Sequence, residues 1–103
     1  DGMTLDKKKN LWVAHFHGAC VSVFNNKAKL IHRIRFPAKN ITNCAFGGKN
    51  TNELYVSTAT KGMNKADLQK FRYSGFFFSV KTNVKGILQK KFILNNEEKR
   101  SLL

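Results

Sequence analysis

Asp1-Gly2-Met3-Thr4-Leu5-Asp6, then Lys7-Lys8-Lys9-Asn10, then Leu11-Trp12-Val13-Ala14-His15-Phe16-His17-Gly18 run consecutively at the start of the chain. Together they read as a β-hairpin. Leu11 to Phe16 is apolar, with the aromatic and β-branched members that suit a buried strand. Asp6 to Asn10 is polar and compact, as a tight turn requires. Gly18 closes the second strand, and a carboxylate stands at the very first residue, Asp1.

Working outward, two more strands follow. Cys20 to Phe24 alternates, with Val21 and Val23 set against Cys20, Ser22 and Phe24. In Lys29 to Phe36 the residues Leu30, His32, Ile34 and Phe36 share one face, and Arg33 and Arg35 lie on the other with Ile31. Gly18-Ala19 and Asn25-Asn26-Lys27 supply the turns. Apolarity is nearly continuous in the second strand and alternates in the fourth, so the inner strands are expected to be covered and the fourth to face water. Pro37 then ends the unit, because proline cannot donate to a ladder.

The pattern starts again with a strand at Ile41 to Phe46, a turn at Gly47 to Asn52 and a strand at Glu53 to Thr58. Leu54-Tyr55-Val56 repeats Leu11-Trp12-Val13 at an offset of 43 residues. Residues 60 to 73 interrupt the second unit, and Lys65 to Phe71 reads as a short helix or an irregular loop. Gly75 to Val80 is a strongly apolar strand, and Val84 to Phe92 offers one more. Repeats of about 40 to 45 residues with four strands each mark β-propeller blades. The expected architecture is therefore all-β, with one blade over residues 1–37, a second over 41–92 and a polar tail over 93–103. Two blades cannot close a ring, so the rest of the propeller is expected upstream, and the apolar blade faces should associate.

At 103 residues with 42% apolar content and nine Phe, the chain can build a core and is at most one domain. No apolar run reaches the roughly 18 residues of a membrane helix, and no membrane partner is expected. The net charge of +13 invites nucleic acid as a partner. That reading is disfavoured because the basic residues fall at turns, on one outer strand and in the tail, and no single helix or loop collects them. Cys20 and Cys44 read as free buried thiols in a reducing, cytoplasmic setting, with a disulfide as the alternative. His15 and His17 would share a strand face and could grip a metal, but they read more simply as packing residues, and His32 falls on the buried-side parity. Trp12 and Tyr55, at equal repeat positions, read as core. Gly47-Gly48 lacks the Lys-Ser/Thr and helix of a phosphate loop. Ser57 and Ser79 lack a His/Asp constellation.

These residues also resemble a family. Asp1-Gly2, Leu11 to Ala14, Gly18, Val21, Phe46 to Gly48, Leu54 to Val56, Ala59 and Gly75 match, in order and spacing, the C-terminal third of the regucalcin (senescence marker protein) and gluconolactonase family. Ser74-Gly75 departs from the usual pair of glycines, and the segment after Phe92 is unlike a family terminus. The resemblance implies a six-bladed propeller with one divalent metal at its axis, Ca²⁺ first, with Zn²⁺, Mn²⁺ or Mg²⁺ as alternatives. It implies a cytoplasmic hydrolase acting on a gluconolactone-type sugar lactone. The metal-binding Asp of the family's DG motif is here Asp1, which would be ligand and catalytic residue together, and the other ligands lie upstream. The alternatives are a non-catalytic calcium-binding or interaction propeller and a basic nucleic-acid-binding β domain.

Overall fold

The computed structural model describes residues 1–87 and Asn95. Its elements run β1 (Met3–Leu5), β2 (Leu11–His15), β3 (Cys20–Phe24), β4 (Leu30–Arg35), β5 (Asn40–Gly47), β6 (Glu53–Ala59), α1 (Lys65–Lys70) and β7 (Phe78–Lys81). They form two antiparallel sheets, β1-β2-β3-β4 and β5-β6-β7. The fold is all-β apart from α1, as the alternation of apolar residues led one to expect.

Several local expectations need correction. Phe16 and His17 lie in a turn, not on β2. Gly18 N–H donates to His15 O at 3.1 Å, and His17 and Ala19 take left-handed backbone (φ 69° and 54°). The apolar run at Gly75 starts pairing only at Phe78, because bonds from Ser74 N–H to Phe71 O and from Phe76 N–H to Tyr73 O keep the preceding residues in turns. Phe76 and Phe77 are consequently exposed. Of the strand expected over Val84 to Phe92, residues 84–87 show only a bridge from Gly86 to Asp6. Residues 88–92 and, apart from Asn95, the polar tail lie outside the described residues. α1 begins with a capping box, in which Asp67 N–H donates to Asn64 Oδ1 at 2.8 Å and Asn64 N–H to Asp67 Oδ2 at 3.3 Å.

The core lies between the sheets. Trp12, Ala14, Val21 and Val23 of the first sheet meet Ile41, Cys44, Leu54 and Val56 of the second. Each large apolar side chain buried there contributes roughly 1.5–3 kcal/mol. The Trp12 ring meets Phe46 edge-on at 5.1 Å. β1 and β2 pack on β5, while β4 and β7 diverge, so the sheets form a wedge that closes along β1 and β5. The mouth of the wedge is a cleft of about 350 Å³ between Val23 and Ile34 on one side and Val80 and Val84 on the other.

Among the described residues, each sheet thus has one covered face. Leu11 and Val13 point away from the second sheet, and Met3 and Leu5 stand beside them on an open face. Tyr55 lies on the open face of the second sheet, half-buried and stacked on Phe77 at 5.8 Å. Trp12 is core as expected and Tyr55 is half-buried, because among the described residues only the Trp12 face meets a neighbouring sheet. His32 is also exposed, since β4 is the outermost strand of its sheet.

Three turns at one end of the sheets are built alike. Lys9 N–H donates to Asp6 O, Ala28 N–H to Asn25 O and Thr51 N–H to Gly48 O, at 3.0, 3.0 and 3.2 Å. Lys9, Ala28 and Thr51 each take left-handed backbone. Strand direction places these turns and the segment after β7 at the end opposite Asp1. The fold therefore collects Lys7, Lys8, Lys9, Lys27, Lys29, Lys49, Lys81 and Lys85 there, all exposed, although no single loop does so.

Candidate functional site

Asp1 precedes β1, the strand along the closed edge of the wedge. Its ammonium donates to Ala14 O at 2.7 Å. Gly2 continues the anchoring: its N–H donates to Thr42 O at 2.8 Å, and its carbonyl accepts from Ala14 N–H at 2.8 Å. These bonds tie the Asp1-Gly2 dipeptide to β2 and to β5 of the next sheet. A side chain at Gly2 would collide with Asn43, so only glycine allows this approach. Thr42 and Ser57 share a hydroxyl–hydroxyl bond of 2.7 Å across the β5–β6 pair.

The Asp1 carboxylate is exposed and accepts no hydrogen bond from the described residues. As a hard oxygen donor it is the kind of ligand Ca²⁺ prefers. It supplies one carboxylate where Ca²⁺ takes six to eight oxygens. Among the described residues no group of three His, Cys, Asp and Glu side chains could hold a metal ion. The chain thus fits a metal ion only in part, as the source of a single ligand.

His15 and His17 do not form the pair that a continuous strand would have allowed. His17 turns outward and meets Phe16 edge-on at 4.5 Å. His15 ends β2, its Nε2 buried without a partner among the described residues. Cys20 and Cys44 are both buried and free. Burial pushes the Cys44 thiol up to about 11, against a smaller opposite pull from the terminal ammonium, and its Sγ lies 3.5 Å from Trp12 O.

Asp6 is the residue whose role the sequence reading missed. It is fully buried. One carboxylate oxygen accepts from Lys8 N–H (2.8 Å) and Asn10 N–H (3.0 Å), the other from Asn10 Nδ2 (3.1 Å) and Trp12 Nε1 (2.9 Å). Burial acts to raise its pKa, but the bonds from Trp12, Asn10 and Lys8 together outweigh it and hold the carboxyl below its ordinary value. With both oxygens committed, Asp6 is a structural clamp rather than a ligand. Asn25 builds its turn the same way, accepting from Lys27 and Lys29 N–H at 2.9 and 3.0 Å. An Asx residue opening both hairpins was the available signal.

Residues 1–60 match the family model described as SMP-30/Gluconolactonase/LRE-like region. "Putative sugar lactone lactonase YvrE" of Bacillus subtilis is 39% identical over 87 residues, and regucalcin of Danio rerio is 39% identical over 89. Each alignment covers 84% of this chain and 30% of the relative, so the chain spans about a third of their length. Among solved structures, a calcium-binding protein, regucalcin, from Agrobacterium tumefaciens superposes with a TM-score of 0.84 at 24% identity, over 91% of this chain and 32% of that one. A luciferin-regenerating enzyme gives a TM-score of 0.74 at 33% identity, over 84% and 29%. The two sheets match part of the six-bladed β-propeller of these structures. With its family model matched over more than half of its length, this chain belongs to the SMP-30/gluconolactonase/LRE-like family.

Proposed function

We propose that the whole protein to which this chain corresponds is a metal-dependent hydrolase of a gluconolactone-type sugar lactone, with Asp1 as one ligand of the metal. The observation that carries this reading is the placement of Asp1-Gly2. The dipeptide lies along the closed edge of the wedge, is pinned to two sheets by backbone bonds and leaves its carboxylate open. Family membership and the lactonase name of the Bacillus relative support it. We take residues 1–37 and 41–92 as its blades.

Lactone hydrolysis needs a polarised carbonyl and an activated water, and a bound divalent cation supplies both. Ca²⁺ is the ion of choice for an oxygen-only donor set, with Zn²⁺, Mn²⁺ or Mg²⁺ as substitutes. Asp1 contributes charge and a fixed oxygen, and as a carboxylate near the reacting water it can also hold a proton. Free buried thiols suit a reducing compartment such as the cytoplasm.

The test is aldonolactone hydrolysis by the full-length protein, followed by acid release. Chelation should abolish turnover and Asp1→Ala should lower it at least a hundredfold, about 2.7 kcal/mol. Undiminished turnover in Asp1→Ala would remove Asp1 from the site. A second reading, a calcium-binding propeller without catalysis, is favoured by the name of the Agrobacterium structure. Calcium binding with no turnover of any aldonolactone would select it.

A further inference from the structure

Strand β5 is irregular where it passes Asp1-Gly2. Ile41 and Cys44 both lie in the core, although residues three apart on a regular strand face opposite sides. The pairing with β6 accounts for this. Ile41 stands opposite Thr58 and Asn43 opposite Ser57, so Thr42 is an extra residue in the ladder. A bulge of this kind re-aims the side chains around it. Here it leaves both Thr42 and Asn43 out of the core, Thr42 bonded to Ser57 and Asn43 exposed.

The Asn43 amide is fixed in position and in direction. A Cβ added to Gly2 would overlap the amide and lie 2.8 Å from the Asn43 Cα, so the side chain rests against the dipeptide that carries Asp1. Its Oδ1 accepts from Cys44 N–H at 2.9 Å. That N–H needs an acceptor, which puts the oxygen on the Cys44 side and the NH₂ on the other. Nδ2 donates to nothing among the described residues. With its acceptor arm bound and its donor arm open, the amide is held as a hydrogen-bond donor beside Asp1.

We propose that Asn43 contacts the substrate, its Nδ2 donating to an oxygen of the sugar lactone held beside Asp1, an inference that rests on the lactonase reading above. A sugar lactone is uncharged and presents carbonyl, ring and hydroxyl oxygens, so a neutral donor matches it. The Asp1 carboxylate is then left to the cation. Asn43 binds and orients the substrate, and the bulge at Thr42 is what delivers it there.

Two variants of the full-length protein separate this role from a structural one. Asn43→Asp keeps the shape and an oxygen for Cys44 N–H but removes the donor, whereas Asn43→Ala removes both. With glucono-δ-lactone as the probe, both variants should raise KM about tenfold or more and leave kcat within about threefold, the pattern of lost substrate binding. Gluconate binding, followed by calorimetry, should weaken in both, while the Ca²⁺ affinity of Asn43→Ala stays at the parent value. Trp12 emission reports that each variant is folded. A parent KM in Asn43→Asp would reduce Asn43 to a support for Cys44, and weakened Ca²⁺ binding in Asn43→Ala would make it a metal ligand; either overturns the proposal. The lactonase reading fails separately. No lactone turnover by the parent, or full turnover in Asp1→Ala, removes that reading and Asn43's role with it. An active parent silenced by Asp1→Ala, with KM unmoved in Asn43→Asp, removes the role of Asn43 alone.

Discussion

The indole N–H of Trp12 donates to a carboxylate oxygen of Asp6 at 2.9 Å, joining the central core aromatic of one sheet to the turn that precedes its own strand. The same carboxylate holds the backbone of Lys8 and Asn10. Asp6→Ala would leave four N–H donors without this acceptor, each worth roughly 1–3 kcal/mol when stranded. The expected loss is about 3 kcal/mol in urea unfolding followed by Trp12 emission, because the costs do not add fully. A loss below about 0.5 kcal/mol, the level of an ordinary surface change, would show that the clamp is dispensable.

Acid should expose the same contact. The Asp6 carboxyl is held below its ordinary value of 3.8 in the folded chain. A carboxyl lowered on folding adds stability above its unfolded pKa and withdraws it as pH falls through the folded one. Thermal midpoints should therefore hold level from neutrality down to about pH 5 and fall below the ordinary carboxylate range. Asp67, lowered first by its bond from Lys39, adds to the fall. Asp6→Asn should flatten the acid limb; an unchanged limb would assign it to other groups.

Two glycines separate crowding from backbone strain. A methyl group at Gly86 would strike the Phe46 side chain, and Gly86 is buried where the chain returns to β1. Gly62 has nothing within 4 Å of an added Cβ but a φ of +75°. Gly86→Ala should cost roughly 2–3 kcal/mol by overpacking, and Gly62→Ala about 1 kcal/mol from the left-handed backbone alone. Reversal of that order in denaturant melts would refute the close approach of Gly86 to Phe46.

Thiol chemistry provides a fourth check. Cys44 is buried and its thiol is pushed up to about 11, and Cys20 is buried as well. Iodoacetamide at neutral pH should label neither in the folded chain and both in urea, counted by mass. Rapid labelling of Cys44 without denaturant would mean that the core opens easily.

What was legible in the sequence was what repeats. The Leu-aromatic-Val triplets at 11–13 and 54–56 marked equivalent strands, and the sheets place them so. What the sequence could not show was which side of each strand would be covered. Trp12 and Tyr55 have the same local pattern, yet only Trp12 meets a neighbour, because coverage depends on a second sheet and not on the strand. His15 and His17 failed as a pair for a local reason: the turn starts at Phe16, two residues before Gly18. Asp6 was hidden because a polar residue in a turn looks solvated until the returning strand buries it. Asp1 was singled out by resemblance, and its anchoring through Gly2 became visible only when Thr42 and Asn43 of the neighbouring sheet were placed beside it.

The lysine-tipped turns also set a response to salt. Eight lysines share one rim of the wedge, in a chain of net charge +13. Such a rim acts as a spring that pushes the turns apart. Its range is the screening length, about 10 Å at 0.1 M salt and shorter above. Added salt would relax that spring while leaving the apolar contacts between the sheets intact, so the fold should tighten with ionic strength, opposite to the behaviour of one held by ion pairs.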